Sequence, residues 1–226
     1  MNNSHSLPAW SPDSVRPAKP ARPCRSDGPF GRVVRAGGGQ AGAIRNPTMK
    51  LAKWRTLSQK ELYKNPWWVY RQDTFQLPNG EVGDYFYVHT NGSSLIIPIL
   101  DDGKIVMVTQ YRYLCDEESL EFPCGGVKAG GDYLSTAVRE LAEEAGFESA
   151  DLQQVGKFNP YNGITNETCR VYVARKLRKA AAKPDLTEEF EQSYLLPTQI
   201  DEKIRTGEIW DGMTIAAWAI ARPVVV

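Results

Sequence analysis

Glu140, Glu143 and Glu144 fall within the short segment RELAEEAG, residues 139–146. If that segment is helical, with about 100° per residue, Glu140 and Glu144 lie about 40° apart and Glu143 about 60° further round. Three carboxylates on one helix wall repel, as like charges at i,i+4 do. A cation must compensate them, either Arg139 or a hard divalent ion with oxygen ligands such as Mg²⁺. A solvated acidic helix face is the plain alternative. The loop just upstream argues for more: Gly125, Gly126, Gly130 and Gly131 allow close backbone approach to a ligand. A glycine-rich loop feeding a helix beside carboxylates suits a phosphate substrate bridged by metal.

The helix that must carry these groups is expected over Asp132–Gly146. Asp132 is a good N-cap, and Gly146 can take the left-handed conformation that ends a helix. Leu134, Val138, Leu141 and Ala145 recur at helical spacing and predict a core-facing stripe, with Glu140 and Glu144 beside it.

The stretch from Gly125 to Phe147 resembles the signature of the Nudix hydrolases. That signature reads Gly, five residues, Glu, seven residues, then Arg-Glu-apolar-any-Glu-Glu-any-Gly-apolar. Gly125, Arg139, Glu140, Leu141, Glu143, Glu144, Gly146 and Phe147 match it. Gly131 stands where the first glutamate belongs. Asp132, next along, is either a partial replacement or only the helix cap. The resemblance implies a mixed α/β (α+β) fold, an α/β/α sandwich around a mixed sheet.

Upstream, WWVYRQDTFQL and DYFYVHT read as strands joined by a turn at Pro78-Asn79-Gly80. This part resembles the N-terminal β subdomain of the ADP-ribose and nucleoside diphosphate sugar branch of that family. In the branch it contributes to a two-fold dimer and offers an aromatic residue to the substrate's base. Trp67 falls at that place, with hairpin core as its plainer reading. Leu95–Leu100 and KIVMVTQYRY are expected to be strands about a turn at Asp101-Asp102-Gly103. The segments VTQYRY and LEFP again resemble the branch and imply a substrate-holding role for Arg112; a surface ion pair with Glu117 or Glu118 is the alternative. Glu121 and the backbone carbonyl of Cys124 stand where the branch places further metal-facing oxygens.

Downstream, VGKFNPYNGITNETCRVYVARKL reads as strand, loop and strand. The branch's marker proline in that loop is replaced by Asn162, and Glu167 closes it. Glu188, Glu189 and Glu191 match an acidic loop that supplies an extra carboxylate in many family members. Pro197–Thr206 and Met213–Ala221 are expected to be closing helices.

The 226 residues contain 27 basic and 27 acidic side chains, so nothing favours nucleic acid or an anionic membrane overall. Residues 1–48 carry seven basic and two acidic residues, a net +5, and seven of the 15 prolines. That composition predicts a disordered tail, followed by the β subdomain at 49–94 and the catalytic domain at 95–226. The four cysteines lack CxxC spacing and the only histidines are His5 and His89, so zinc sites and Ser-His-Asp or Cys-His nucleophiles have little material. Unpaired thiols, with no signal peptide or membrane-spanning apolar run, predict a cytoplasmic protein.

The resemblance therefore implies a homodimeric hydrolase of a nucleotide-sugar substrate. Glu140 and Glu144, with Glu143, would bind Mg²⁺ or Mn²⁺, while Arg139 braces the glutamates. Trp67, Arg112 and Glu121 would address the substrate. Glu143, Glu189 or Glu191 would take the proton from the attacking water. Two alternatives stay open: a non-catalytic Nudix domain that senses a nucleotide sugar, and an isoprenoid-diphosphate isomerase, which needs a catalytic cysteine and a glutamate.

Overall fold

The computed structural model describes residues 51–180 and 190–225. The expected disordered tail and the candidates Glu188 and Glu189 lie outside the described residues. The first element is a three-stranded antiparallel sheet of β1 (Arg55–Lys64), β2 (Val69–Gln76) and β3 (Val82–His89). Sequence reading found its second and third strands and the turn between them, and missed β1. The polar stretch RTLSQKELYK shows no apolar alternation, and all ten of its residues are exposed.

Two sheets then share the core. One has the order β7-β4-β9-β8, from β4 (Ser93–Pro98), β7 (Cys124–Gly126), β8 (Phe147–Phe158) and β9 (Cys169–Lys179). It is mixed, because β4 runs parallel to β9 while β7 and β8 pair antiparallel to their neighbours. The other is antiparallel, with the order β10-β5-β6, from β5 (Ile105–Arg112), β6 (Glu117–Glu121) and β10 (Glu191–Leu195). The expected turn at residues 101–103 is present, but it does not close a two-strand ladder. A single bridge, Ile99 to Ile105, links the strands before β5 departs to the second sheet.

Successive side chains of a strand point to opposite faces, and here both faces are covered. Leu95, Ile97, Ile105, Met107, Val171 and Val173 enter one apolar cluster with α2 (Pro197–Thr206) and α3 (Gly212–Val225). Ile96, Val106, Tyr172 and Ala174 enter another with α1 (Tyr133–Glu143). This is the expected α/β/α sandwich, and its continuous apolar strands are those of a sheet buried on both sides.

Asp201 fastens the outer helix pair. Its carboxylate accepts the Trp218 indole N–H at 2.7 Å and three Arg222 guanidinium bonds at 2.9–3.0 Å. Arg222 first, and Trp218 after it, hold the Asp201 carboxyl below the usual carboxylate range. A depressed acid stabilises the fold above its unfolded pKa and loses that contribution as pH falls through the folded value. Asp201→Ala should cost about 1–2 kcal/mol in urea unfolding at pH 7, a charged hydrogen-bond value reduced for exposure. The difference from wild type should shrink below pH 4; a constant difference across pH would show that the ion pair contributes nothing.

Candidate active site

Helix α1 begins where its sequence places it. Asp132 Oδ1 accepts the Leu134 and Ser135 amides at 2.8 and 3.0 Å, and Oδ2 accepts the Ser135 hydroxyl at 2.8 Å. The Ser135 contacts, the amide first, hold the Asp132 carboxyl low. Asp132 is therefore the helix cap, fully engaged at the N-terminus. Gly131 closes a turn on the Lys128 carbonyl at 2.9 Å and brings no carboxylate. Gly146, at φ +68°, ends the helical segment.

The expected apolar stripe is only half right. Leu141 and Ala145 are buried, but Leu134 and Val138 are 52% and 53% exposed. The buried positions are instead Thr136, Ala137, Glu140, Leu141 and Glu144. Relative to the apolar pattern, the inward face is turned by roughly 80–100° toward the glutamates. The reason lies in β7: three residues, two of them glycine, leave room for acidic side chains to lie inward.

Both inner glutamates lie against that strand. The Cys124 amide donates to Glu144 Oε2 at 2.9 Å. A Cβ placed on Gly125 would stand 1.7 Å from Glu140 Oε1, so only glycine allows this approach. Arg139 binds Glu143 at 2.5 Å and also contacts Glu140. It spans two glutamates of the helix wall.

The strand end opens on a cleft of about 210 Å³ lined by Ser93, Arg112, Glu121, Cys124, Glu167 and Asp211, among others. Arg112 does not pair with Glu117 or Glu118 through its side chain. It is bound to the buried Glu121, Nε to Oε1 at 2.7 Å, with a second contact from Nη2 to Oε2. That carboxylate raises the Arg112 pKa further above its ordinary value. The Ser93 hydroxyl donates to Glu167 at 2.6 Å on the cleft wall. Sequence reading did not single out Ser93, Glu167 or Asp211 for the site. Asp211 carried a signal only as the cap of α3, where it accepts the Thr214 amide at 2.7 Å.

Other expected residues lie elsewhere in the chain. Trp67 is 79% exposed in the turn between β1 and β2, where Asn65 Oδ1 accepts its amide. It is neither hairpin core nor part of the cleft. Glu191 begins β10, paired with Thr109, and is exposed. Cys124 faces the cleft, but contact with the Cys169 thiol, then burial, pushes its own thiol well above the ordinary range. The same contact, in turn, holds the Cys169 thiol low.

The donor set suits a hard divalent ion, since buried carboxylate oxygens line β7. Among the described residues no three His, Cys, Asp or Glu side chains form a ready-made cage. Mg²⁺ is usually held by one or two carboxylates with waters and substrate phosphates rather than by an all-protein cage. Glu140 and Glu144 fit that requirement.

Residues 90–216 match the model of the NUDIX domain, more than half of the chain. The chain belongs to the Nudix hydrolase family. Residues 54–88, which carry the β1–β3 sheet, match the model of the nucleoside diphosphate sugar hydrolase N-terminal domain. The chain is 31% identical over 171 residues to a methanol dehydrogenase activator of Bacillus methanolicus, covering 74% of this chain and 92% of that protein. It is 26% identical over 171 residues to an ADP-ribose pyrophosphatase of Bacillus subtilis, covering 75% and 92%. A crystal structure of an ADP compounds hydrolase superposes with a TM-score of 0.68 at 21% identity, covering 77% of this Nudix chain and 95% of the other. The chain is thus a Nudix hydrolase whose relatives include ADP-ribose pyrophosphatases.

Proposed function

We propose that this Nudix hydrolase cleaves the diphosphate linkage of ADP-ribose and other nucleoside diphosphate sugars, releasing a nucleoside monophosphate and a sugar phosphate. The observation that carries the reading is the burial of Glu140 and Glu144 against β7, whose residues line a cleft together with Arg112. Glu140 and Glu144 would hold Mg²⁺, or Mn²⁺ in its place, with Glu143, Glu121 and the Cys124 carbonyl as further oxygens. Bound there, the ion offsets the charge of the diphosphate.

The chain's own groups do the remainder. Arg112, fixed by Glu121, presents a guanidinium to the diphosphate. Arg139 keeps Glu140 and Glu143 in place. Water attacks one phosphorus in line, and the other phosphate leaves as a monoester. Its proton passes to a carboxylate, for which Glu143, Glu189 and Glu191 are the candidates.

A homodimer is part of this reading, with Trp67 meeting substrate from a second copy. The N-terminal sheet and the residues flanking its strands support it by leaving Trp54, Leu57, Tyr63, Trp67 and Phe86 exposed. We also assign the protein to the cytoplasm, supported by the free thiols of Cys115, Cys124 and Cys169. No described helix is long and apolar enough to cross a membrane.

Side-by-side kinetics with Mg²⁺ test the reading. ADP-ribose and at least one GDP- or ADP-hexose should be hydrolysed, with kcat/KM values within about 100-fold. One altered loop contact, Asn162 in place of proline, discriminates by only about 1–3 kcal/mol. A nucleoside triphosphate should be the poorer substrate. A triphosphate hydrolysed best would overturn the substrate assignment. Binding without turnover of any nucleotide sugar would turn the protein into a sensor, the reading that Gly131 keeps open.

A further inference from the structure

Helix α1 carries two of its three glutamates at the end where a helix is least secure. Glu143 is its last residue and Glu144 its C-cap. The last four carbonyls of a helix have no intrahelical partner, and the terminal turn frays. No basic residue stands in the last turn of α1 to offset the negative end of the helix dipole.

A side chain from a distant strand closes this end. Gln192 lies on β10, paired with the buried Val108 of β5. Its Nε2 donates to the Ala145 carbonyl at 2.8 Å, across 47 residues of sequence, and reaches the Glu144 carbonyl at 3.5 Å. A carbonyl can only accept, which turns the amide nitrogen toward the helix. The amide oxygen, left on the other side, accepts the Tyr194 hydroxyl at 2.8 Å. One residue further along, the Gly146 carbonyl accepts the Ala180 amide at 3.0 Å. Three successive carbonyls are thus held from outside the helix, two of them by this one side chain.

The backbone beneath a carboxylate sets where the carboxylate sits. Glu144 is gripped at both ends, its side chain by the Cys124 amide and its carbonyl by Gln192. A tilt of the last turn would move Glu143 and Glu144 most and Glu140, a turn earlier, least.

We infer that Gln192, oriented by Tyr194, is a positioning residue for Glu143 and Glu144, and that it fixes Glu191, its neighbour on β10, relative to them. This rests on the function proposed above and adds the group that aligns the helix carboxylates with the strand carboxylate.

The test uses the full chain and Mn²⁺ alone as probe, titrated by electron paramagnetic resonance, beside kinetics on ADP-ribose. Gln192→Met keeps the length of the side chain and removes the donor. Its Kd for Mn²⁺ should rise by about tenfold, the low end of what losing an outer partner of a metal ligand costs. Its kcat should fall by about 5- to 30-fold, short of the roughly 10²-fold cost of a one-ångström misplacement. KM for ADP-ribose should change little. Gln192→Glu, which turns an acceptor on two carbonyls, should lose more in both measures, and Tyr194→Phe less. A purely structural role would lower the melting temperature alone. Wild-type Mn²⁺ affinity and kcat in Gln192→Met, at a temperature where circular dichroism shows it folded, overturn the inference. If that variant does not fold, Tyr194→Phe decides by the same two readouts. Should wild type hydrolyse no nucleotide sugar, the proposed function fails on its own, and the Mn²⁺ affinities still decide whether Gln192 positions the glutamates.

Discussion

Glu144→Gln should lower kcat for ADP-ribose hydrolysis by two orders of magnitude or more while leaving the melting temperature nearly unchanged. The two halves of this expectation have separate causes. Glu144 Oε2 accepts the Cys124 amide, and a glutamine oxygen can accept the same bond, so the seam between α1 and β7 survives. What disappears is the negative charge with which this buried position would hold a cation beside the diphosphate. Loss of one principal electrostatic element costs about 10²–10³ in turnover. Steady-state kinetics at saturating Mg²⁺ alongside a thermal melt make the measurement. Near-normal turnover would remove Glu144 from the machinery and with it the metal assignment.

Gly125→Ala should be almost as damaging, for a geometric reason. The new methyl would stand 1.7 Å from Glu140 Oε1 and 2.1 Å from its Cδ, so the carboxylate must swing away. Because only the end of a side chain moves, stability should fall little. Displacing a positioning group by about an ångström can cost about 10²-fold in rate. We therefore expect kcat/KM for ADP-ribose to drop by about that factor, with the fold intact by circular dichroism. An alanine variant with unimpaired kcat/KM would mean that Glu140 works from some other position.

Much of the scaffold could be read before any coordinates. The ends of α1 follow from one cap and one glycine, both local effects. The apolar runs over β4 and β5 are long enough to identify buried strands. β1 escaped because a polar strand exposed along its whole length carries no period-2 signal. The face of α1 was misjudged for a related reason: hydrophobic spacing finds the inward side only when that side is apolar. Here it also carries Glu140 and Glu144, turned inward by the small residues of β7. Arg112 illustrates the long-range limit. Its acidic neighbours at 117 and 118 are nearer in sequence, and Glu117 is its partner in the ladder, yet its guanidinium reaches back along β5 to Glu121. Ser93, Glu167 and Asp211 share a cleft only because β4, β9 and α3 meet there.

The two sides of that cleft differ in how the chain must come together to make them. The bond between Cys124 and Glu144 closes a segment of 20 residues, whereas the bond between Ser93 and Glu167 closes 74 and accompanies the parallel pairing of β4 with β9. Loop-closure entropy sets the second about 1 kcal/mol above the first before any packing is counted, and non-local strand pairing slows folding further. The carboxylate side of the cleft therefore rests on the cheaper, more local closure, and the opposite wall on the costlier one that comes with pairing β4 to β9.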